Sequence, residues 1–306
     1  MTKYYRLYAG RVAATTEKSE AQIIVLTSPD QEEMLNIIKE YQLDEHTFIS
    51  TFDADELARV ESEDEHFAII CKCPKNYTAH AQFQFRISSF GIFLFNNLVI
   101  VTTDSHHLPL ADEKRFSRIN SLKMFALKLI NHSIIHFNEH LRVVNKMSDE
   151  FEQRLVYKTI RGEYLSAFGL SKSLVYYINA IASNGTLLQK LQITQSLGLS
   201  EIEREFLDDI IIENTQCRRQ AEIYSNILLS MMTAHENIVS NDLNTMLKVL
   251  NVITIGIMVP TFVVSAASMN VNYPIDMESG WAFWAIMLVM VLSTIAFILM
   301  QKKLKW

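Results

Sequence analysis

The chain has 306 residues, with 28 Lys+Arg against 34 Asp+Glu for a formal net charge of -6, and 49% of it comes from the AVILMFWYC set. That length buries a substantial core and excludes a small disulfide-stapled scaffold, while the apolar content excludes intrinsic disorder. The acidic balance argues against a protein that grips nucleic acid by neutralising phosphates, and makes a cation the more natural partner.

Up to about Asp104 the apolar runs are short and β-rich: Tyr4 to Tyr8, Gln22 to Leu26, His66 to Cys71, Gln82 to Ile87, Ile92 to Phe95 and Leu98 to Thr102. Between them, Ser28-Pro29-Asp30-Gln31-Glu32 predicts an amphipathic helix to Tyr41, with Ser28 as cap and Pro29 at the first helical position. Cys71 and Cys73 fall two apart on one strand face and, with Cys217, match no zinc-ribbon spacing; they read as buried, reduced packing residues. No apolar segment follows Met1 to Arg6, so no secretory signal is expected. After Pro109 the pattern turns helical: Ser117 to Met147, Asp149 to Leu170, Ser173 to Leu191, and from Ser200 onward with no proline before Pro260.

A mean hydropathy of +0.10 is high for a soluble chain, and the C-terminus explains it. No charged residue occurs from Val249 to Ile275 or from Trp281 to Met300, so two segments reach the length that a bilayer core of roughly 30 Å demands. The segment between them carries Asp276 and Glu278, whereas the tail carries Lys302, Lys303 and Lys305, which places both termini on the cytoplasmic side. Without the tail's three lysines and the loop's two acids, 25 basic and 32 acidic residues remain, so the cytoplasmic part is acidic too. The expected organisation is a cytoplasmic α/β domain over 1–110, a helical hairpin over 111–199, and a stalk helix continuing into the first span over 200–268. An external loop over 269–280, a second span over 281–300 and a basic tail over 301–306 complete it. The helix from Ser200 into the membrane is expected to run on the order of 100 Å, and to need partners along its length.

On that helix Asn244, Leu247, Asn251, Thr254, Met258, Thr261, Ser265 and Ser268 recur at spacings of three and four, forming one stripe. The other faces carry Val249, Val252, Ile253, Ile257, Phe262 and Val263. Polar side chains in hydrocarbon are costly unless they face a bundle interior or water, so the stripe lines either a packing seam or a pore.

Immediately beyond it stands Ser268-Met269-Asn270-Val271-Asn272-Tyr273-Pro274, preceded by Met246-Leu247-Lys248-Val249-Leu250 and Val259-Pro260-Thr261. This resembles the CorA family of divalent-cation channels, whose hallmark is Gly-Met-Asn at the outer end of the first of two C-terminal spans. Asp55-Glu56-Leu57-Ala58-Arg59-Val60-Glu61 leading into Phe67-Ala68-Ile69-Ile70, and Phe95-Asn96-Asn97-Leu98-Val99-Ile100-Val101, resemble the family's cytoplasmic strand block. Ser268 replaces the glycine, and Tyr273-Pro274-Ile275-Asp276 replaces the family's Met-Pro-Glu loop. The resemblance implies an αβα cytoplasmic domain, a long stalk helix and two C-terminal spans in a homo-oligomeric, pentameric funnel. It implies a pore lined by the first span that passes Mg²⁺, with Co²⁺ or Ni²⁺ as companions, and no organic cofactor.

A ring of Asn270 amide oxygens suits capture of hydrated Mg²⁺ through its waters, since the ion dehydrates reluctantly and wants octahedral oxygen ligands. Deeper, Thr261, Thr254, Ser265 and Asn244 offer further oxygens, while Leu250 and Met258 resemble the family's hydrophobic constriction. Asp276 and Glu278 either concentrate cations at the mouth or form an ordinary solvated loop. Asp208 and Asp209 match the region where the family places an inter-subunit site for intracellular divalent ions; otherwise they are solvated helix charge.

His132, His136 and His140 lie four apart on one helical face beside Glu139, a spacing that chelates zinc or nickel when the rings converge and is otherwise a packing face. No nucleophile elbow, phosphate loop or dinucleotide fingerprint is present, and only 8 glycines are, so no enzyme is expected. Two other readings stay open: a zinc transporter of the same architecture, and a non-conducting, membrane-anchored structural or sensory homologue.

Overall fold

The computed structural model describes residues 1–75, 85–104, 116, 118–157, 161–269 and 280–304, and no side chain from 154 to 165 or at 304. The chain divides into two compact units, Met1–Met232 and Thr233–Trp306.

The first unit is built on a seven-stranded sheet of β1 (Thr2–Tyr8), β2 (Arg11–Thr15), β3 (Ile23–Thr27), β4 (Arg59–Ser62), β5 (His66–Pro74), β6 (Ile87–Phe95) and β7 (Val99–Thr103). Its strand order is β2-β1-β3-β7-β6-β5-β4. Only β3 and β7 pair in parallel, with Ile23 opposite Val99 and Val25 opposite Val101. Period-two alternation along β3 decides the layers. Ile24 and Leu26 face one core with Phe48, Phe93 and Ile100, whereas Ile23 and Val25 face a larger one with Ile69, Ile92, Val99 and Val101.

The smaller core is covered by α1 (Gln31–Tyr41) and α2 (Glu45–Ser50); the larger by α3 (Leu122–Tyr157), α4 (Arg161–Ile193) and the start of α5 (Glu201–Ala267). The result is the expected αβα sandwich, followed by one unbroken helix of 67 residues. Within the first unit α5 buries Leu207, Ile210, Asn214, Cys217, Ala221, Ser225 and Leu228, at three- and four-residue steps.

Several expected boundaries move. Ser28 is not the cap of α1: it has φ 42, in the left-handed region, whereas a capping residue needs extended backbone. Asp30 takes that place, its side chain accepting from the Glu33 N–H at 2.8 Å. The helix breaks read at Ser148 and around Ser171 do not exist. Ser148 is buried in α3 with its hydroxyl directed at Met231 Sδ, and the Ser173 hydroxyl in α4 donates to the Gly169 carbonyl one turn back at 2.9 Å. Of the strand read over Gln82 to Ile87, residues 82–84 lie outside the described residues, and Ile87 opens β6. Strand β2 and helix α2 were not anticipated, and β4 covers only the end of the strand block read over Asp55 to Glu61.

One close approach pins the sheet to α2. The Gly91 N–H donates to Thr102 Oγ1 at 3.1 Å, Thr102 Oγ1 donates to Thr51 Oγ1 at 2.7 Å, and Thr51 Oγ1 donates to the Phe48 carbonyl at 2.7 Å. A Cβ on Gly91 would overlap the Thr51 methyl and stand 2.5 Å from Thr102 Oγ1.

The second unit contains the rest of α5 and α6 (Gly280–Leu304). Both helices are long and apolar enough to cross a membrane. Their large side chains are open in the single chain, Phe262 being 75% and Trp284 71% exposed, a surface that only lipid or other protein can cover.

Candidate cation pathway and metal sites

The apolar half of α5 holds the stripe in helical register as far as Ser265. Ser268 lies one residue past the helix end, in a turn where its N–H still bonds the Val264 carbonyl at 3.0 Å. Thr254 donates its hydroxyl proton to the Leu250 carbonyl at 2.8 Å and Thr261 to the Ile257 carbonyl at 2.7 Å; Ser268 does the same toward Ser265 at 2.9 Å. With their protons turned back into the helix, these hydroxyls keep lone pairs for an outside partner, and the chemistry on offer is that of oxygen acceptors. Leu250 and Met258, exposed in the single chain, stand on the same face and supply apolar steps between them. Pro260 carries no N–H for the Gly256 carbonyl. A Cβ at Gly256 would stand 4.0 Å from Phe297 of α6, so these two helices meet away from the stripe. Asn270, Asp276 and Glu278 lie outside the described residues.

The three histidines of α3 do share a face, but they form a ring ladder and not a chelate. The centroids of His132 and His136 are 6.1 Å apart, and those of His136 and His140 are 4.5 Å apart. His140 is buried and spends Nδ1 on the Tyr177 hydroxyl of α4 at 2.7 Å. Burial, joined by the neighbouring His136 and opposed by Glu139, brings its pKa down to about 4, which marks a neutral core histidine. Among the described residues no three His, Cys, Asp or Glu side chains gather as a metal-holding group, so of the two readings of this face the chelating one is not assembled.

The cysteines are free packing residues, as their spacing suggested. Cys71 and Cys217 are buried and Cys73 is half-buried, and burial pushes all three thiols up to about 12.

Asp208 and Asp209 are exposed on the first third of α5, and Asp208 Oδ1 accepts from Gln192 Nε2 at 2.6 Å. One turn along, Glu213 has a raised pKa, from burial first and then from the charge of Asp209. A cation beside this pair would relieve that repulsion.

Sequence reading missed Glu203, a buried carboxylate with a lowered pKa. Burial raises it, and accepted bonds from Ser121 Oγ and the Ser200 N–H outweigh that. The signal was present as Ser200-x-x-Glu203, the capping-box spacing at the start of α5. Also missed was Lys72, buried in β5, whose ammonium donates to the Ala54 carbonyl at 2.8 Å and Ser89 Oγ at 2.9 Å.

The sequence pattern of the CorA-like Mg²⁺ transporter protein family matches residues 18–303. The chain belongs to that family. A curated relative, the cobalt/magnesium transport protein CorA of Methanocaldococcus jannaschii, is 22% identical over 286 residues, covering 91% of this chain and 89% of its own length. The complete CorA magnesium transporter structure from the same organism superposes with a TM-score of 0.84 at 20% identity, covering 98% of this chain and 96% of that one. The full-length CmaX protein gives 0.77 at 12% identity over 100% and 98% of the two chains. The cytoplasmic domain of ZntB from Vibrio parahaemolyticus gives 0.63 at 12% identity over 78% and 98%. These likenesses establish that the CorA fold runs through both units, from the sandwich through the long helix to the C-terminal apolar helix. CorA-family proteins are membrane transporters of divalent cations, and this CorA-family chain is one of them.

Proposed function

We propose that this chain assembles as a homo-oligomer, a pentamer on the CorA pattern, and conducts Mg²⁺, with Co²⁺ or Ni²⁺ as companions, through a pore lined by α5. The observation that carries the reading is the stripe of oxygen acceptors and soft apolar residues along the uncharged part of α5, whose other faces from Val249 onward are apolar. Copies of α5 placed stripe-inward give Thr254, Thr261 and Ser265 as oxygen rings, Asn244 as a ring at the inner end, and Leu250 and Met258 as steps that gate by dewetting. Asn270, with Ser268 and Met269, forms the outer mouth and captures the hydrated ion, and Asp276 and Glu278 raise the local cation concentration before it. Lys302 and Lys303 at the end of α6 support a topology with both termini on the cytoplasmic side of the cell membrane. Asp208 and Asp209 bind an intracellular divalent ion between subunits and favour the closed state. The departure at Ser268 leaves an oxygen at the mouth where glycine has none.

Purified protein in liposomes, assayed for Mg²⁺, Co²⁺ and Zn²⁺ uptake, tests the reading. Mg²⁺ flux abolished by Asn270→Ala with assembly intact supports it. Flux of Zn²⁺ alone transfers the assignment to the zinc reading, and no flux of any ion would falsify conduction.

A further inference from the structure

A cleft of about 350 Å³ opens in the first unit between the loop before β4, the start of β6 and the outer face of α4, at the lower end of small-ligand sites. In a chain of net charge -6 its lining is unusual, because among the described residues Arg86 and Lys172 outnumber the single carboxylate, Asp55. Lys172 has no carboxylate at ion-pair distance among the described residues; its ammonium lies 5.9 Å from the ring centre of Tyr176, which is half exposed at the rim. The wall beside Asp55 is fixed from behind, since the buried Lys72 ammonium holds the Ala54 carbonyl at 2.8 Å. The floor is open: a Cβ added to Gly169 on α4 meets nothing within 4 Å.

We propose that this cleft binds a nucleoside phosphate, with the phosphate between Arg86 and Lys172, the sugar hydroxyls on Asp55 and the base against Tyr176. Guanidinium and ammonium groups are the side chains that hold phosphate, a carboxylate is the acceptor that takes a ribose hydroxyl, and a half-exposed tyrosine is a stacking surface. Asp55 selects against a free polyanion, which it repels, and in favour of a phosphate joined to a hydroxyl-bearing body. The site is independent of conduction and stands whichever ion the pore carries.

The experiment is isothermal titration of the full-length protein in detergent micelles with AMP, adenosine and inorganic phosphate, at 0.15 M salt with a chelator present. The expected result is saturable AMP binding in the sub-millimolar range, with adenosine and phosphate each at least tenfold weaker. Lys172→Glu removes the phosphate partner, and Gly169→Leu fills the floor while improving helix propensity. Each should weaken AMP at least tenfold with thermal unfolding unchanged, whereas Lys39→Glu on exposed α1 should leave binding as it is. Absence of saturable AMP binding overturns the site. Equal loss in Lys39→Glu reduces it to non-specific charge, and phosphate binding as tightly as AMP removes the nucleoside.

Discussion

Glu203 offers the sharpest test of how the long helix is held. Its two oxygens serve two helix starts at once: one accepts the Ser200 N–H at 2.8 Å, at the cap of α5, and the other accepts Ser121 Oγ. The same Ser121 oxygen in turn accepts the Met124 N–H at 2.9 Å, in the first turn of α3. Glu203→Ala removes the capping bond, about 1 kcal/mol, and a charge-assisted bond worth about 1.5–3 kcal/mol when its partner is left behind, about 3 kcal/mol together. For a folded unit of this size that is a fall in melting temperature of about 6–12 °C, readable by thermal denaturation of the detergent-solubilised protein. Glu203→Gln keeps an acceptor and should fall between parent and alanine. Because the folded-state pKa of Glu203 is lowered, its contribution is fully present above the ordinary carboxylate range and drains away as pH falls through the folded value. The gap between parent and glutamine variant should therefore be constant from pH 7 to about 5 and close below about 4. An alanine variant melting within about 2 °C of the parent, or a gap that widens on acidification, would refute the shared-carboxylate argument.

Gly91→Ala should destabilise the sandwich by about 1–3 kcal/mol, because its methyl overlaps that of Thr51; Thr51→Ser in the same chain removes the obstructing methyl and should recover much of the loss in urea unfolding. His140, neutral in the core with a pKa near 4 against an unfolded value near 6.5, contributes stability that is lost as pH falls from about 6.5 to about 4, on the order of 3 kcal/mol over the full shift. A His140→Phe variant should show a flatter stability profile across that window, and an equal slope in both proteins would mean another group is responsible. If intracellular Mg²⁺ binds at the stalk acids, added Mg²⁺ should raise the melting temperature and protease resistance of the parent oligomer. Asp208→Ala/Asp209→Ala should lose most of that dependence, and identical Mg²⁺ curves for the two proteins would remove the site from these residues.

What could be read in advance followed the range of the physics involved. Bilayer thickness is met by sequence length alone, so both spans were visible as uncharged runs, and the 3.6-residue period placed Thr254, Met258 and Thr261 on one face without any tertiary information. Strand β2 and helix α2 gave no signal, since β2 is held by pairing with β1, Tyr5 opposite Ala14, and α2 by Phe48 in the core. Ser148-Asp149 carries the chemistry of a helix start, yet burial of Ser148 against α5 carries α3 through it. The histidine ladder was legible as a face, but the Tyr177 hydroxyl that takes His140 out of metal chemistry comes from 37 residues away. Lys72 gave no signal for the same reason, its partners lying on a loop and on β6.

The carboxylate shared by α3 and α5 also decides what kind of movement the long helix can transmit. Sliding α5 along its axis by one turn would carry Glu203 about 5.4 Å from Ser121 and leave a buried carboxylate without the hydroxyl that ties it to α3. Its first turn therefore resists a piston stroke, and a cation bound at Asp208 or Asp209, only five and six residues further on, would act on the helix through a tilt or a twist instead.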